Sequence, residues 1–237
     1  MSLVVIASLH GSPGATSLAV GLSACLPSAA LVEADPSGGV LAARCGLGRE
    51  PGLITLAADR EARWADGIRV HAQTLASGVP VLPCSESADH TSSLLRVAGD
   101  NIASRLDEAG GTFVVDVGRL GLDGVAHAML ERAGIFLLVS HPTADALAVL
   151  AARLPSLRQY RPRVVLVGDR PYTAADVSTG LDVEVAATVA IDAKAVDAMW
   201  SGLGQRALAR SAFARSVAAL ADDLTFELAE STVDVVA

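Results

Sequence analysis

The sequence contains almost no lysine: Lys194 is the only one among 237 residues, and the other positively charged residues are arginines. Aromatic residues make up 3% of the chain, which argues against a surface that stacks single-stranded nucleic acid. No apolar run approaches the ~20 residues of a membrane-spanning helix, and no basic segment precedes an apolar one at the N-terminus. We therefore expect neither an integral membrane segment nor a signal peptide.

Cysteine is also scarce. Cys25, Cys45 and Cys84 lie far apart without a Cys-x-x-Cys spacing, so we expect free thiols in a reducing cytoplasm and no cysteine-based metal site. The formal net charge is −8, with a pI of about 5.0. This acidity disfavours non-specific binding of nucleic acid by the whole surface but is compatible with a local basic patch.

Short apolar runs alternate with helix-like stretches along the chain. The runs are rich in Val, Ile and Leu and nearly continuous, which is typical of strands buried on both faces of a sheet. The pattern predicts an α/β fold with a doubly wound, mostly parallel β-sheet and helices on both faces. The predicted strands are 3–8, 30–33, 79–82, 112–116, 134–139, 163–167 and 185–189. The predicted helices are 16–25, 90–107, 123–132, 144–154, 192–200 and 205–228.

The length suits one α/β domain, which we place at residues 1–229. Residues 230–237 are acidic and apolar, and we expect them to form a flexible tail. Within the domain, the predicted helix 90–107 has one apolar face. Its members follow helical spacing: Leu94, Val97, Ala98, Ile102 and Leu106.

Three polar features follow predicted strands, and ligands bind at the carboxyl ends of strands in an open parallel sheet. The first is the glycine-containing loop 11–17, and the second is the segment Glu33-Ala34-Asp35-Pro36. The third is Asp116, which closes an apolar run. An acidic residue at this place beside a phosphate loop commonly orders Mg²⁺.

The succession of these motifs resembles the ParA/MinD family of deviant Walker-A P-loop ATPases over nearly the whole chain. The family's loop reads Lys-Gly-Gly-Val-Gly-Lys-Thr-Thr, and the matching residues are His10, Gly11, Ser12, Pro13, Gly14, Ala15, Thr16 and Ser17. The family's Asp-x-Asp-Pro-x-Gly motif matches residues 33–38, and "FVVDVG" matches its Walker-B strand. Two later segments, "LLVSHPTADALAVL" and "VAIDAKAVDAMWSG", are also similar, with Ala190 where a proline is usual.

The resemblance implies roles for these residues. Residues 11–17 would bind the phosphates of ATP or ADP, while Thr16, Asp35 and Asp116 would hold Mg²⁺. Asp35 would be the catalytic residue if the chain is active, since it matches the aspartate near the attacking water.

Both lysines of the family's loop are missing, because His10 stands at the signature lysine and Ala15 at the phosphate-binding lysine. Backbone N–H groups and a helix N-terminus still attract phosphate. The lost bond to a charged group is worth roughly 1.5–3 kcal/mol, so we expect nucleotide binding to be about tenfold to a hundredfold weaker, or absent. Arg119 and Arg44 are candidates for a substitute cation.

In the family, the signature lysine reaches the phosphates of a partner subunit. His10 is shorter than a lysine and carries an imidazole ring in place of an ammonium group. We therefore expect no homodimer of the usual ATP-sandwich type, whereas a dimer through another surface stays open.

Two groups of arginines form candidate sites for non-specific DNA, which ParA-like proteins often bind. Such binding would be sensitive to salt, and solvated helix faces are the alternative explanation. The residues are Arg153, Arg158, Arg161, Arg163, Arg206, Arg210 and Arg215.

Three functions are compatible with the sequence. The first is a bacterial positioning or partitioning regulator that acts through protein partners, with weak or absent ATP hydrolysis. Its process would be placement of the chromosome, the division site or a surface appendage. The second is an active ATPase with an unconventional loop, and the third is a structural adaptor that needs no nucleotide.

Overall fold

A parallel β-sheet forms the centre of the computed structural model, which describes residues 2–59, 61, 65–122, 124–202 and 208–233. Within these ranges the sheet has eight strands in the order β3-β4-β2-β5-β1-β6-β7-β8. All neighbouring pairs are parallel except β3 with β4, which are antiparallel at one edge. The strands are β1 Ser2–Ser8, β2 Ala30–Glu33, β3 Gln73–Thr74, β4 Pro80–Leu82, β5 Thr112–Arg119, β6 Ala133–Ser140, β7 Arg163–Val167 and β8 Val185–Val189.

Helices cover both faces of the sheet. They are α1 Ala15–Cys25, α2 Leu41–Cys45, α3 Leu53–Ala58, α4 Ala65–Arg69, α5 Ala88–Glu108, α6 His127–Glu131, α7 Ala144–Leu157, α8 Ala174–Leu181, α9 Ala193–Ser201 and α10 Ala212–Val233. Alternate residues of β1 enter opposite cores. Leu3 and Val5 join the core formed with α3, α5, α6 and α7, whereas Val4 and Ile6 join the core formed with α1 and α10. The predicted doubly wound, mostly parallel fold is confirmed.

Several predicted boundaries were wrong. The prediction missed β3 and the helices α2, α3, α4 and α8, which are too short for helical or strand periodicity to be visible. Helix α6 begins at His127 rather than at Asp123, and Asp123 lies outside the described residues. Helix α10 begins at Ala212 and runs to Val233, whereas the prediction was 205–228. Residues 205–207 and 234–237 also lie outside the described residues.

The buried face of α5 differs from the predicted one. Leu95, Ile102 and Leu106 are buried, but the side chain of Val97 is 88% exposed. Leu95, Ile102 and Leu106 are separated by seven and four residues, which places them on one side of a helix. The face that packs on the sheet is therefore rotated away from Val97.

No helix in the described ranges has both the length and the apolar character needed to cross a membrane.

Candidate functional site

The loop between β1 and α1 ends in a left-handed glycine at the N-terminus of a helix. Gly14 caps α1 with a φ of 92°, a left-handed conformation that a residue with a side chain rarely adopts. In the described chain no side chain caps this end of the helix. The first N–H groups of a helix have no partner within it, so those of α1 are directed into the loop. Pro13, which is buried, contributes no N–H group.

Ala15, the first residue of α1, stands where the resemblance places the phosphate-binding lysine. It is 6% exposed and carries only a methyl group. The loop therefore keeps its oriented dipoles but lacks a cation of its own at this position.

Asp116 lies beside the loop on β5. The Thr16 side chain hydrogen-bonds to the Asp116 carboxyl group, and the Gly118 backbone N–H donates to Asp116 Oδ1 over 2.9 Å. Burial raises the pKa of Asp116 to about 7, and the nearby carboxylates of Asp35 and Glu33 also raise it. The structure thus brings together two of the three residues predicted to hold Mg²⁺.

Asp35, the third, follows β2 and is half-buried next to the same strand. Its Oδ1 accepts a hydrogen bond from the Ser37 backbone N–H at 2.8 Å. Burial raises the pKa of Asp35, while Ser37 and the charge of Arg119 lower it. A β-carbon built on Gly118 would collide with the Asp35 carboxylate, so Gly118 is what lets this side chain approach β5.

These residues fit a magnesium nucleotide in number and type. The described residues contain no group of three or more His, Cys, Asp or Glu side chains that could hold a metal ion unaided. Mg²⁺ in nucleotide sites is commonly held by one or two carboxylates together with phosphate oxygens. Thr16, Asp116 and Asp35 carry the hydroxyl and carboxylate oxygens that such an arrangement would need from the protein.

Arg119 brings a positive charge to the loop. The sequence predicted that β5 ends at Asp116, but the strand continues to Arg119. Arg119 Nη2 donates a 2.6 Å hydrogen bond to the carbonyl oxygen of Gly11. The other candidate, Arg44, lies over the ring of Trp200, with its guanidinium carbon 4.9 Å from the ring centre.

His10 is engaged within its own chain. Its Nε2 lies 3.6 Å from Asp145 Oδ2 in the first turn of α7, and both side chains are exposed. The pKa of Asp145 is lowered, chiefly by a hydrogen bond with the Thr143 side chain and only in small part by His10.

A cleft of about 260 Å³ adjoins the loop on the side of β6, β7 and β8. The loop residues Ser12, Pro13 and Gly14 form one wall. His141 and Ile191 also line the cleft, and the His141 ring contacts the Val167 carbonyl oxygen through Nδ1 at 3.1 Å. The mostly apolar lining suits a flat organic ring.

Glu33 has a structural role that its sequence motif did not predict. This carboxylate is almost fully buried, and its Oε1 accepts the backbone N–H groups of Val40 and Leu41 at 2.7 and 2.9 Å. Its Oε2 accepts the Cys84 N–H at 3.1 Å. Glu33 therefore fastens the segment that carries Asp35 to the start of α2 and to the chain after β4. The acidic residue at the first position of its motif was the available signal.

The basic clusters are partly neutralised. Arg158 pairs with Asp182 at 3.2 Å, and Arg163 pairs with Glu184 at 3.6 Å and Glu227 at 2.9 Å. Arg153 donates to the Gly121 carbonyl, and Arg215 to that of Arg210. Arg161 is exposed, whereas Arg206 lies outside the described residues.

The fold and the site together define a class, a P-loop-like α/β domain whose loop joins the first strand to a helix and whose acidic residue lies on a neighbouring strand. Solved structures specify the fold further. The chain is similar to a ParA family ATPase from Chlorobium tepidum TLS, with 13% identity, 93% of this chain and 97% of that chain covered, and a TM-score of 0.76.

Two further solved structures are of MinD. One is the septum site-determining protein MinD from Pyrococcus horikoshii OT3 complexed with Mg-ADP, at 18% identity, 94% and 95% coverage and a TM-score of 0.75. The other is the MinC:MinD cell division complex from Aquifex aeolicus, at 14% identity, 94% and 95% coverage and a TM-score of 0.69. The chain has the fold of the ParA and MinD ATPases. No protein-family model matches it, and no curated protein matches it in sequence.

Proposed function

We propose that the chain is a ParA/MinD-like nucleotide switch that binds a magnesium nucleotide weakly and hydrolyses ATP slowly or not at all. One observation carries this proposal. Gly14 is present at the start of α1, and Thr16 and Asp116 lie together at the positions proposed for Mg²⁺, but Ala15 stands in place of the lysine. Residues 11–17 would hold the phosphates, and Asp35 would orient the attacking water in any residual hydrolysis. Mg²⁺, when bound, would neutralise phosphate charge.

A protein partner would transmit the state of the site. One of the structurally similar MinD proteins has been solved in a complex with MinC, which supports a partner-mediated role. We place this role in the positioning of a chromosome, division site or surface appendage in a bacterium. Cys25, Cys45 and Cys84, the three cysteines of the chain, are all unpaired, which supports a reducing cytoplasm. His10 is paired with Asp145 in its own chain, which supports a monomer or a dimer through another surface.

An active ATPase is the second candidate, favoured by Arg119, because this arginine brings a cation to the loop. Losing a positive charge at the phosphates slows hydrolysis more than it weakens nucleotide binding. The rate of hydrolysis therefore separates the two candidates better than the affinity does.

Thermal melting with and without millimolar ATP and Mg²⁺ tests the proposal, together with an assay of phosphate release. Nucleotide at a hundredfold excess over Kd would raise the free energy of unfolding by ~2.7 kcal/mol. We expect a rise in Tm with little or no phosphate release. Release that Asp35→Ala abolishes would support the ATPase instead, and an unchanged Tm would support an adaptor that needs no nucleotide.

A further inference from the structure

We propose that Arg119 supplies the positive charge that the loop lacks, and that it contacts the terminal phosphate of a bound nucleoside triphosphate. This inference rests on the proposed function, in which the loop 11–17 binds a nucleotide. It adds that the site distinguishes a triphosphate from a diphosphate through one arginine.

The guanidinium of Arg119 contacts the loop and is near enough to Asp35 to act on it electrostatically. It bonds to the Gly11 carbonyl oxygen at 2.6 Å, and its charge lowers the pKa of Asp35 against the larger effect of burial. Arg119 is exposed, so its charged end faces solvent at the mouth of the loop rather than the core. A guanidinium has five N–H donors, so an arginine that bonds to one carbonyl group has further donors to offer a phosphate.

The order of the strands indicates how a bound nucleotide would be oriented across the loop. Strand β1 lies between β5 on one side and β6 on the other, so the cleft beside β6, β7 and β8 and the carboxylates beside β5 flank the loop. A base in that cleft would send its phosphate chain across the N-terminus of α1 towards β5. The last phosphate would then lie at Asp35 and Arg119, whereas a diphosphate would end nearer the helix.

A purely structural role for Arg119 is the competing explanation. The bond to Gly11 joins the end of β5 to the loop and would hold the loop in place for any nucleotide. Its loss would then weaken triphosphate and diphosphate binding equally. A contact with the terminal phosphate would instead weaken mainly the triphosphate.

Isothermal titration of the full chain with Mg²⁺ and either ADP or a non-hydrolysable ATP analogue separates these roles. We expect Arg119→Ala to lower the affinity for the analogue about tenfold to a hundredfold, and that for ADP less than about threefold. Arg119→Lys should retain part of the difference. The matched control is Arg96→Ala, an exposed arginine on α5 that donates to Ser92, and it should bind both nucleotides as the unchanged chain does. Equal weakening for both nucleotides, or none for either, would overturn the inference.

Two further variants show whether a negative result refutes this inference or the proposed function. Ala15→Lys restores the family's cation in the loop and should raise the affinity for both nucleotides. If the unchanged chain binds neither nucleotide, the proposed function fails. Arg119 is then tested by comparing Ala15→Lys with Ala15→Lys plus Arg119→Ala. A selective loss of analogue binding in the double variant would support the role of Arg119, and identical binding by the two chains would refute it.

Discussion

The carboxylate of Asp35 packs directly against the α-carbon of Gly118. A β-carbon at Gly118 would occupy the space of both carboxylate oxygens, and Gly118 itself has a φ of 60°. The loop after β2 and the end of β5 are therefore fitted to each other at a position where only glycine is accommodated. Asp35 thereby lies near both Asp116 and Arg119.

Substitution Gly118→Ala should displace Asp35 and lower the stability of the chain. The left-handed conformation alone costs a side chain about 1–2 kcal/mol, and the collision adds to this. We expect a lower Tm and a smaller rise in Tm with ATP and Mg²⁺. The control is Gly180→Ala in α8, where a β-carbon meets nothing within 4 Å and φ is not positive. A Gly118→Ala chain that melts like the Gly180→Ala chain would contradict the packing described here.

Glu33→Gln should destabilise the chain although the two side chains have nearly the same shape. Glu33 accepts three backbone N–H groups, whereas the amide nitrogen of glutamine accepts none. Leaving a buried N–H group without an acceptor costs about 1–3 kcal/mol, which urea denaturation would detect. The exposed Glu131→Gln change is the control and should alter the free energy of unfolding very little. An equal midpoint for both variants would show that Glu33 is not needed to hold the segment.

The nucleotide-free chain should lose stability as pH rises from 5 towards 7. The pKa of Asp116 is raised to about 7 by burial, whereas an unfolded aspartate titrates near 4. Between these values the native chain binds a proton that the unfolded chain has released, so the free energy of unfolding falls with increasing pH. The raised pKa values of Glu33 and Asp35 act in the same direction.

Melting curves between pH 5 and 8 would measure this dependence. Asp116→Asn should make the curve less steep in this range, because it removes one of the three carboxyl groups with raised pKa values. The exposed Asp100→Asn change on α5 should leave the slope unchanged. A Tm that rises over the range in the unchanged chain would contradict the prediction.

Any binding of non-specific DNA should be weak and limited by internal ion pairs. Arg158 is paired with Asp182, so Asp182→Asn would free its charge for phosphate. The left-handed φ of Asp182, 48°, is one that asparagine tolerates. We expect Asp182→Asn to strengthen the mobility shift of plasmid DNA at low salt, and the effect to disappear at moderate salt. The control Asp100→Asn removes the same charge elsewhere and should not strengthen the mobility shift. The absence of any shift at low salt in every variant would exclude DNA as a partner.

The sequence by itself determined the fold class, seven of the eight described strands and the residues proposed for the candidate site. The longer apolar strands are predictable because their pattern lies within one short stretch of sequence. The same holds for the glycine-containing turn that follows the first strand. The proximity of Asp35 and Asp116 was predictable because both lie towards the carboxyl ends of parallel strands, which meet at one edge of a sheet.

Only the tertiary structure decided which residues hold the loop and the Asp35 segment in place, and which charged groups lie beside them. Arg119 and Gly11 are 108 residues apart, and Glu33 and Cys84 are 51 apart, so no periodicity within one element predicts either contact. Val97 has the spacing of a core residue, but the sheet packs against the side of α5 that carries Leu95 and Leu106. Ala15 in the loop is visible in the sequence, but the contact of Arg119 with the loop is not, because strand pairing and the extension of β5 bring Arg119 to Gly11.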